Sequence, residues 1–366
     1  MLDPQHVPAL RAALTRADFT VDAVYALLGD DAHRALGRNQ SVPALRATRG
    51  GGDLATLVRL FALQVPVDRD RAEAALPGLV EPLAAAGMLV TSGGEVRALV
   101  DVRPYGDEEH DWWIVCDPTS GLDGRQAPMD PAYVLGISEA SSSLAQLTIR
   151  EPVGRALDLG TGCGVQALHL AQHARDVVAT DVNPRALAMA RLTASLNEMD
   201  VDVRDGSLFE PVAGETFDLI ATNPPFVISP PGSQVLVYRD SGMPGDSVVR
   251  HLVENAATHL NDGGWCQILA NWAHHDEVDW QDDLGQWLAG QPLDAWILQR
   301  ELVDPAAYVE MWLSDAGLAT APDYVQRYDA WLDWFASERI EAIGFGWLSL
   351  RKTTQTPVHR LGDLPD

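Results

Sequence analysis

Residues 155–183 read RALDLG TGCG VQALHLAQHARD VVATDVN, and this pattern sets the architecture of the chain. A short apolar run, Arg155 to Leu159 with Asp158 inside it, reads as a buried parallel strand feeding a tight loop and then a helix. Gly160, Gly162 and Gly164 alternate with Thr161 and Cys163. Glycine at every second position permits positive φ and lets a ligand approach bare backbone, and a helix offers unpaired N–H groups at its start. A second apolar strand, Val177 to Thr180, ends on Asp181, about twenty residues after Gly160. A carboxylate there can accept both hydroxyls of a ribose.

Working outward, the spacing is G-x-G-x-G, not the dinucleotide G-x-G-x-x-G. Some forty residues further on, a third apolar strand, FDLIAT (217–222), runs straight into NPPF (223–226). Together these residues resemble the class I S-adenosylmethionine-dependent methyltransferases. Within that superfamily NPPF is similar to the Asn-Pro-Pro-(Phe/Tyr) signature of enzymes that methylate nitrogen on a planar amide or exocyclic amine: the HemK/PrmC-type glutamine methyltransferases and those acting on adenine or guanine amines. The resemblance covers about 150–270 well, and 345–351 less closely.

The resemblance implies a cofactor, S-adenosyl-L-methionine, and a role for each motif residue. The N–H groups of Gly160, Gly162 and Gly164, with Thr161 between them, would lie along the methionine end. Asp158 would orient the loop or receive the ammonium, and Asp181 would hold the ribose. At the end of the next strand the family places an Asp against the adenine amine. This chain has Ser207 there, within GSLF (206–209), and Asp205 two positions earlier, so the adenine contact is open between them. Asn223 and the Pro224 carbonyl would accept hydrogen bonds from the acceptor nitrogen, Pro225 would help fix the turn, and Phe226 would stack on the flat acceptor group.

Composition bounds the rest. The 366 residues are 46% apolar, enough for two or three domains with real cores. Neither a signal peptide nor a membrane span is expected, and Cys116, Cys163 and Cys266 are too far apart for a zinc pattern, so a reduced cytoplasm is the expected setting. His274 and His275 with Asp276 lack a third ligand at useful spacing, so no metal site is expected. The net charge of −26 repels a phosphate backbone at long range, yet residues 1–100 hold ten arginines against eleven acids. Arg34, Arg38, Arg46, Arg49 and Arg59 read as a solvated helix surface or as a grip on RNA.

Residues 1–103 carry apolar residues at helical spacing over 10–16, 21–28, 54–64, 69–76 and 79–86, then a β-hairpin turning at Ser92-Gly93-Gly94. This predicts a helical, winged-helix-like accessory domain that docks a partner or substrate. Residues 104–366 are expected to form the methyltransferase domain. Its entry segment holds a strand at 112–116, a Pro- and Gly-rich loop at 117–130, and residues 133–143 as either a cover over the cofactor or a connector.

Strands at 155–159, 177–181, 201–204, 217–222 and 265–270 alternate with helices at 165–174, 184–199 and 246–260, predicting a Rossmann-like parallel sheet of seven strands whose ligands sit beyond the strands' carboxyl ends. The last two strands are expected at 294–301 and 343–352. They flank a helical insert at about 304–340, crowded with Tyr308, Trp312, Tyr324, Tyr328, Trp331, Trp334 and Phe335, as core or as a substrate groove.

The expected activity is N-methylation of a protein side-chain amide of the glutamine type, on a basic translation factor or ribosomal component suited to the acidic catalytic half. The alternatives are methylation of an adenine or guanine amine in ribosomal or transfer RNA, and a cofactor-binding scaffold that docks a partner.

Overall fold

The computed structural model describes residues 2–107, 109–122, 129–232, 236–240 and 242–364. By internal packing the chain divides into two compact units. The first comprises the described residues of 2–122 with 134–136 and 188–200, and the second those of 129–133, 137–187 and 201–364.

In the first unit, helices α1 (Val7–Arg16), α2 (Val21–Leu36), α3 (Val42–Ala47), α4 (Asp53–Leu57), α5 (Arg69–Ala75) and α6 (Val80–Ala85) precede a small sheet. Leu10, Leu14, Phe19, Leu57, Leu60, Phe61, Leu76 and Val80 are fully buried and form its core. Strands β2 (Leu89–Ser92) and β3 (Glu95–Ala98) make the expected hairpin, and β1 (Val67–Asp68) adds a short third strand. The turn places Gly93 and Gly94 at φ 59° and 86°, which only glycine adopts freely at both positions. Beyond the boundary expected at 103, β4 (Asp101–Gly106) and β5 (Asp111–Cys116) pair as a ribbon that lies in this unit. The edge N–H groups of Trp113 and Val115 are satisfied by Asn197 Oδ1 and Thr193 Oγ1, at 2.9 and 3.1 Å. Arg34 is paired with Asp31 at 2.7 Å and Arg59 donates to the Leu45 carbonyl, while Arg46 and Arg49 are exposed. Residues 123–128 of the loop expected at 117–130 lie outside the described residues.

The second unit is built on one sheet. Helix α7 (Glu139–Leu147) precedes β6 (Val153–Leu159), α8 (Val165–Leu170), β7 (Ala174–Asp181), α9 (Pro184–Leu196, of which residues from 188 on belong to the first unit), β8 (Val201–Asp205), β9 (Phe217–Thr222), α10 (Ser247–Ala256) and β10 (Leu260–His275). Then come α11 (Trp280–Trp287), β11 (Leu293–Val303), α12 (Pro305–Asp315), α13 (Tyr324–Ser337), β12 (Ile340–Lys352) and β13 (His359–Asp363). The strand order is β13-β11-β12-β10-β9-β6-β7-β8, with β12 antiparallel to both of its neighbours. Order reverses between β6 and β9, so a crevice opens beyond their carboxyl ends.

The expected architecture is present with four differences, the first being that β12 runs antiparallel to β10 and β11 in a sheet expected to be parallel. The sheet has eight strands, not seven, because His359–Asp363 pairs in parallel with β11 at the edge. Helix α8 stops at Leu170 instead of 174, since Ala174, Arg175 and Asp176 already belong to β7, in register with Val153 and Arg155. Strand β10 starts at Leu260 and runs 16 residues, its ladder to β9 interrupted between Leu260 and Trp265, where Asn261-Asp-Gly-Gly forms an irregularity instead of a separate turn.

Alternating residues of the central strands fill two cores, one on each face of the sheet. Leu157, Leu159, Ile220, Ile268 and Trp272 pack with Val248, Val249, Leu252 and Val253 of α10. Ala156, Val177, Ala179 and Leu219 pack with Ala167 and Leu170 of α8. The aromatic insert is the helix pair α12 and α13. Tyr308, Trp331 and Phe335 are buried in a third core together with Val227 and Ile228, while Trp312, Tyr324, Tyr328 and Trp334 are partly buried around it.

Candidate active site

Strand β6 delivers Asp158 and the glycine loop to the sheet's carboxyl rim, and the loop is held largely by the chain itself. Gly160 and Thr161 both donate their backbone N–H to the Thr180 carbonyl at 2.9 Å. Gly164 donates to the Thr161 carbonyl at 2.9 Å, and Gly162 to Asp181 Oδ2 at 2.9 Å. The three glycine N–H groups expected to face a ligand are therefore already paired. What the glycines supply is shape: their φ values are 78°, 56° and 91°, and a Cβ on Gly160 or Gly162 would meet no atom within 4 Å. The loop thus presents bare backbone to open space, the cradle that a cofactor tail requires.

Asp158 is 1% exposed, and its Oδ2 accepts from the Thr161 hydroxyl at 2.6 Å and from the Ala167 N–H at 2.9 Å. It ties loop to helix. Burial pushes its carboxyl up to about 7, against the lowering by those two hydrogen bonds, and nearby Asp181 adds to the rise.

Asp181 closes β7. Its Oδ2 takes the Gly162 N–H and its Oδ1 takes the Asn183 N–H at 2.8 Å. A carboxylate has about four acceptor sites, so capacity for a pair of ribose hydroxyls remains. Burial raises its pKa, three backbone N–H groups oppose that, and the charge of Asp205 adds to it. Asp205 pairs with Asp181 in register across β7 and β8, and Gly206 N donates to the Asp181 carbonyl at 3.0 Å. Both Asp205 and Ser207 are exposed, and neither side chain has a hydrogen-bond partner among the described residues.

Strand β9 delivers NPPF. The Thr222 hydroxyl, fully buried, donates to the Leu159 carbonyl at 2.8 Å and locks the end of β9 to the end of β6. Asn223 follows, half-buried, and its side-chain oxygen is buried with no hydrogen-bond partner among the described residues. A buried acceptor left unmatched costs about 1–3 kcal/mol, a cost that a donor from a bound group or a water would relieve. Phe226 is half-buried, bridges to Asp240, and meets Trp312 edge-on with ring centroids 6.4 Å apart. Pro224 is buried and Pro225 half-buried between them.

Arg239, which donates to the Trp312 carbonyl at 2.6 Å, was not legible in the sequence, whereas Trp312 and Tyr308, whose hydroxyl accepts from Ile228 N at 2.9 Å, stood out only as members of the insert. The crowding of aromatics in the insert was visible, but nothing in it names residues 226–228 and 238–240 as its partners. His274 and His275 are engaged elsewhere, His274 Nε2 with Gln299 Oε1 at 2.7 Å and His275 Nδ1 with the Glu338 carbonyl at 3.1 Å. Asp276 pairs with Arg339 at 2.8 Å.

The family profile described as the methyltransferase small domain matches residues 136–286. This segment is similar to the methyltransferase small domain. It contains the whole rim from Asp158 to Phe226, while a domain of unknown function, DUF7059, matches residues 16–99. Two curated relatives are similar over that core. The ribosomal RNA small subunit methyltransferase C of Salmonella arizonae is 30% identical over 48% of this chain and 46% of its own length. The release factor glutamine methyltransferase of Geobacter sulfurreducens is 32% identical over 40% of this chain and 63% of its own length. Among solved structures, a T. thermophilus 16S rRNA methyltransferase in complex with AdoMet and guanosine aligns at 18% identity and TM-score 0.37, over 63% of this chain and 60% of that one. Among the described residues no helix of the chain is long and apolar enough to cross a membrane, and no group of His, Cys, Asp and Glu is placed to hold a metal.

Proposed function

We propose that this protein is an S-adenosylmethionine-dependent N-methyltransferase acting in the cytoplasm on a protein side-chain amide of the glutamine type. The observation that carries the reading is the buried, unmatched side-chain oxygen of Asn223 beside the half-buried ring of Phe226. An amide nitrogen is a poor nucleophile because its lone pair is delocalised. Hydrogen bonds from its N–H groups to Asn223 and the Pro224 carbonyl would fix its plane, and Phe226 would hold that plane from one face. No general base is demanded of the chain.

The residues at the ends of β6, β7 and β8 fit the cofactor. Asp181 has acceptor capacity left for the ribose, the Gly160–Gly164 loop offers bare backbone to the methionine end, and exposed Asp205 or Ser207 is within the same rim for the adenine. Asp158 would hold the loop in place rather than bind. When bound, the cofactor supplies a sulfonium methyl whose leaving group is neutral and needs no proton.

For the acceptor, the net charge of −26 suits a basic protein such as a translation factor or ribosomal component, and one relative is named for release factor glutamine methylation. The first unit would dock that partner. A base in ribosomal or transfer RNA is the second reading, favoured by exposed Arg46 and Arg49 and by the relative named for ribosomal RNA. The test is transfer of radiolabel from S-adenosylmethionine into a lysate of cells lacking the gene, digested separately with protease and nuclease. Protease-sensitive label supports the amide. Label in RNA alone, lost on reversing the charges of Arg46 and Arg49, replaces it with the base. Cellular function that survives Asn223→Ala but not loss of residues 1–100 would leave only a docking scaffold.

A further inference from the structure

The insert between β11 and β12 holds a line of contacts that ends on the acceptor side of the rim. Trp312 on α12 meets the Phe226 ring edge-on, at 6.4 Å and 70°. The Arg239 guanidinium lies 5.6 Å from the Trp312 ring centre, and its Nη1 donates to the Trp312 carbonyl at 2.6 Å. That side chain is only 6% exposed, with Asp240 at 3.3 Å and Asp315 at 3.4 Å. A cation buried so far is stable only where such partners surround it, so its position is fixed and the indole is fixed with it. Tyr238 adds a hydrogen bond to Asp315 at 2.5 Å, and Tyr308 one from Ile228 N at 2.9 Å. Phe226 joins the same strip through its bridge to Asp240 and through the bond from Val227 N to the Arg239 carbonyl at 2.9 Å.

The last torsion of a phenylalanine has a broad well, so a half-buried ring does not choose its own plane. An edge contact from a fixed indole chooses it. We propose that the insert is part of the acceptor site: Trp312, held by Arg239, is a positioning residue that sets the plane of Phe226, and with it the attitude of the flat acceptor group against Asn223. The inference rests on the N-methyltransferase reading above and says what the insert does for it. Its length and aromatic content serve alignment, not only packing.

The test is a double-substitution cycle on the full chain with Phe226→Leu, Trp312→Leu and the pair. Label transfer from S-adenosylmethionine is followed at rising lysate concentration so that kcat and KM separate, and S-adenosylmethionine affinity is measured by calorimetry. Trp312→Leu is expected to lower kcat by about tenfold, the size of a modest misalignment of reacting groups, with cofactor affinity unchanged. Trp312→Phe, which keeps an aromatic edge, should recover most of it. In the Phe226→Leu background Trp312→Leu should cost nothing more, because both act through one ring.

Additive losses, or an undiminished kcat in Trp312→Leu, overturn the proposal. If Trp312→Leu fails to fold, Arg239→Lys takes its place in the same cycle, since it keeps the charge but loses the planar stack: a non-additive loss supports the proposal, and an additive or absent one overturns it. Wild-type protein that binds the cofactor yet transfers no label fails the methyltransferase reading itself, and the proposal falls with it.

Discussion

At the carboxyl ends of β6 and β7, the N–H groups of Gly160, Gly162 and Gly164, the Thr161 hydroxyl and both oxygens of Asp181 are engaged within the chain. At the end of β9, the Asn223 oxygen is buried with no donor to accept from among the described residues. The first region is shaped before any ligand arrives, and its buried polar groups are there for stability. The second carries an unfilled acceptor, which the proposed function assigns to the methyl-accepting group. Two ends of adjacent strands, joined by the Thr222 to Leu159 hydrogen bond, thus divide folding from chemistry.

Replacing the two key side chains with alanine is the sharpest way to break that division. Asp158→Ala strands two buried donors, the Thr161 hydroxyl and the Ala167 N–H, and should cost about 2–4 kcal/mol. Asn223→Ala removes a buried acceptor without an internal partner, so stability should hold or rise, by up to about 1–3 kcal/mol. Chemical denaturation of the two variants measures both, and equal losses would erase the distinction.

The dependence on pH sharpens the first half. The Asp158 carboxyl is raised from 3.8 to about 7 in the folded protein, so the folded state holds a proton there that the unfolded state has released. Stability should therefore fall as pH rises from about 4 to about 7 and level off above, with about 1.4 kcal/mol at stake per pH unit. Asp158→Asn, which carries no titrating group, should flatten that slope in denaturation curves.

Gly162→Ala tests the bare-backbone cradle. The left-handed φ of 56° costs an alanine about 1–2 kcal/mol, and its methyl enters open space. Calorimetry should show cofactor affinity falling about tenfold, which is about 1.4 kcal/mol, while the fold persists. Undiminished affinity would mean that the cofactor does not lie against the loop.

The smallest effects belong to the exposed end of β8. Asp205→Ala and Ser207→Ala should each leave stability within about 0.5 kcal/mol. The one that contacts the adenine should weaken cofactor binding several-fold, about 1 kcal/mol for one hydrogen bond.

Much of this was legible because it is local. The alternation of apolar runs with helical spacing gave the order from β6 to β10, and NPPF marked the strand end where Asn223 stands. What was not legible is long-range. The N–H groups of Gly160 and Gly162 looked free because their acceptors, the Thr180 carbonyl and Asp181, lie on the next strand. Strand β13 has no apolar alternation in HRLGD and pairs only because β11 leaves an edge. The partnership of the insert with residues 226–228 and 238–240 depends on Arg239, a single cation in a strip that reads as loop, meeting a helix about seventy residues later.

The most direct measurement is label transfer from S-adenosylmethionine by the wild-type chain and by Asn223→Ala, after calorimetry has shown that both bind the cofactor equally and melts have shown that both are folded. The account predicts transfer into protein by the wild type, reduced roughly 100-fold or more in the variant, the size expected when a reacting nitrogen loses its alignment. Equal transfer by the two proteins would contradict it, since the buried oxygen would then hold no acceptor.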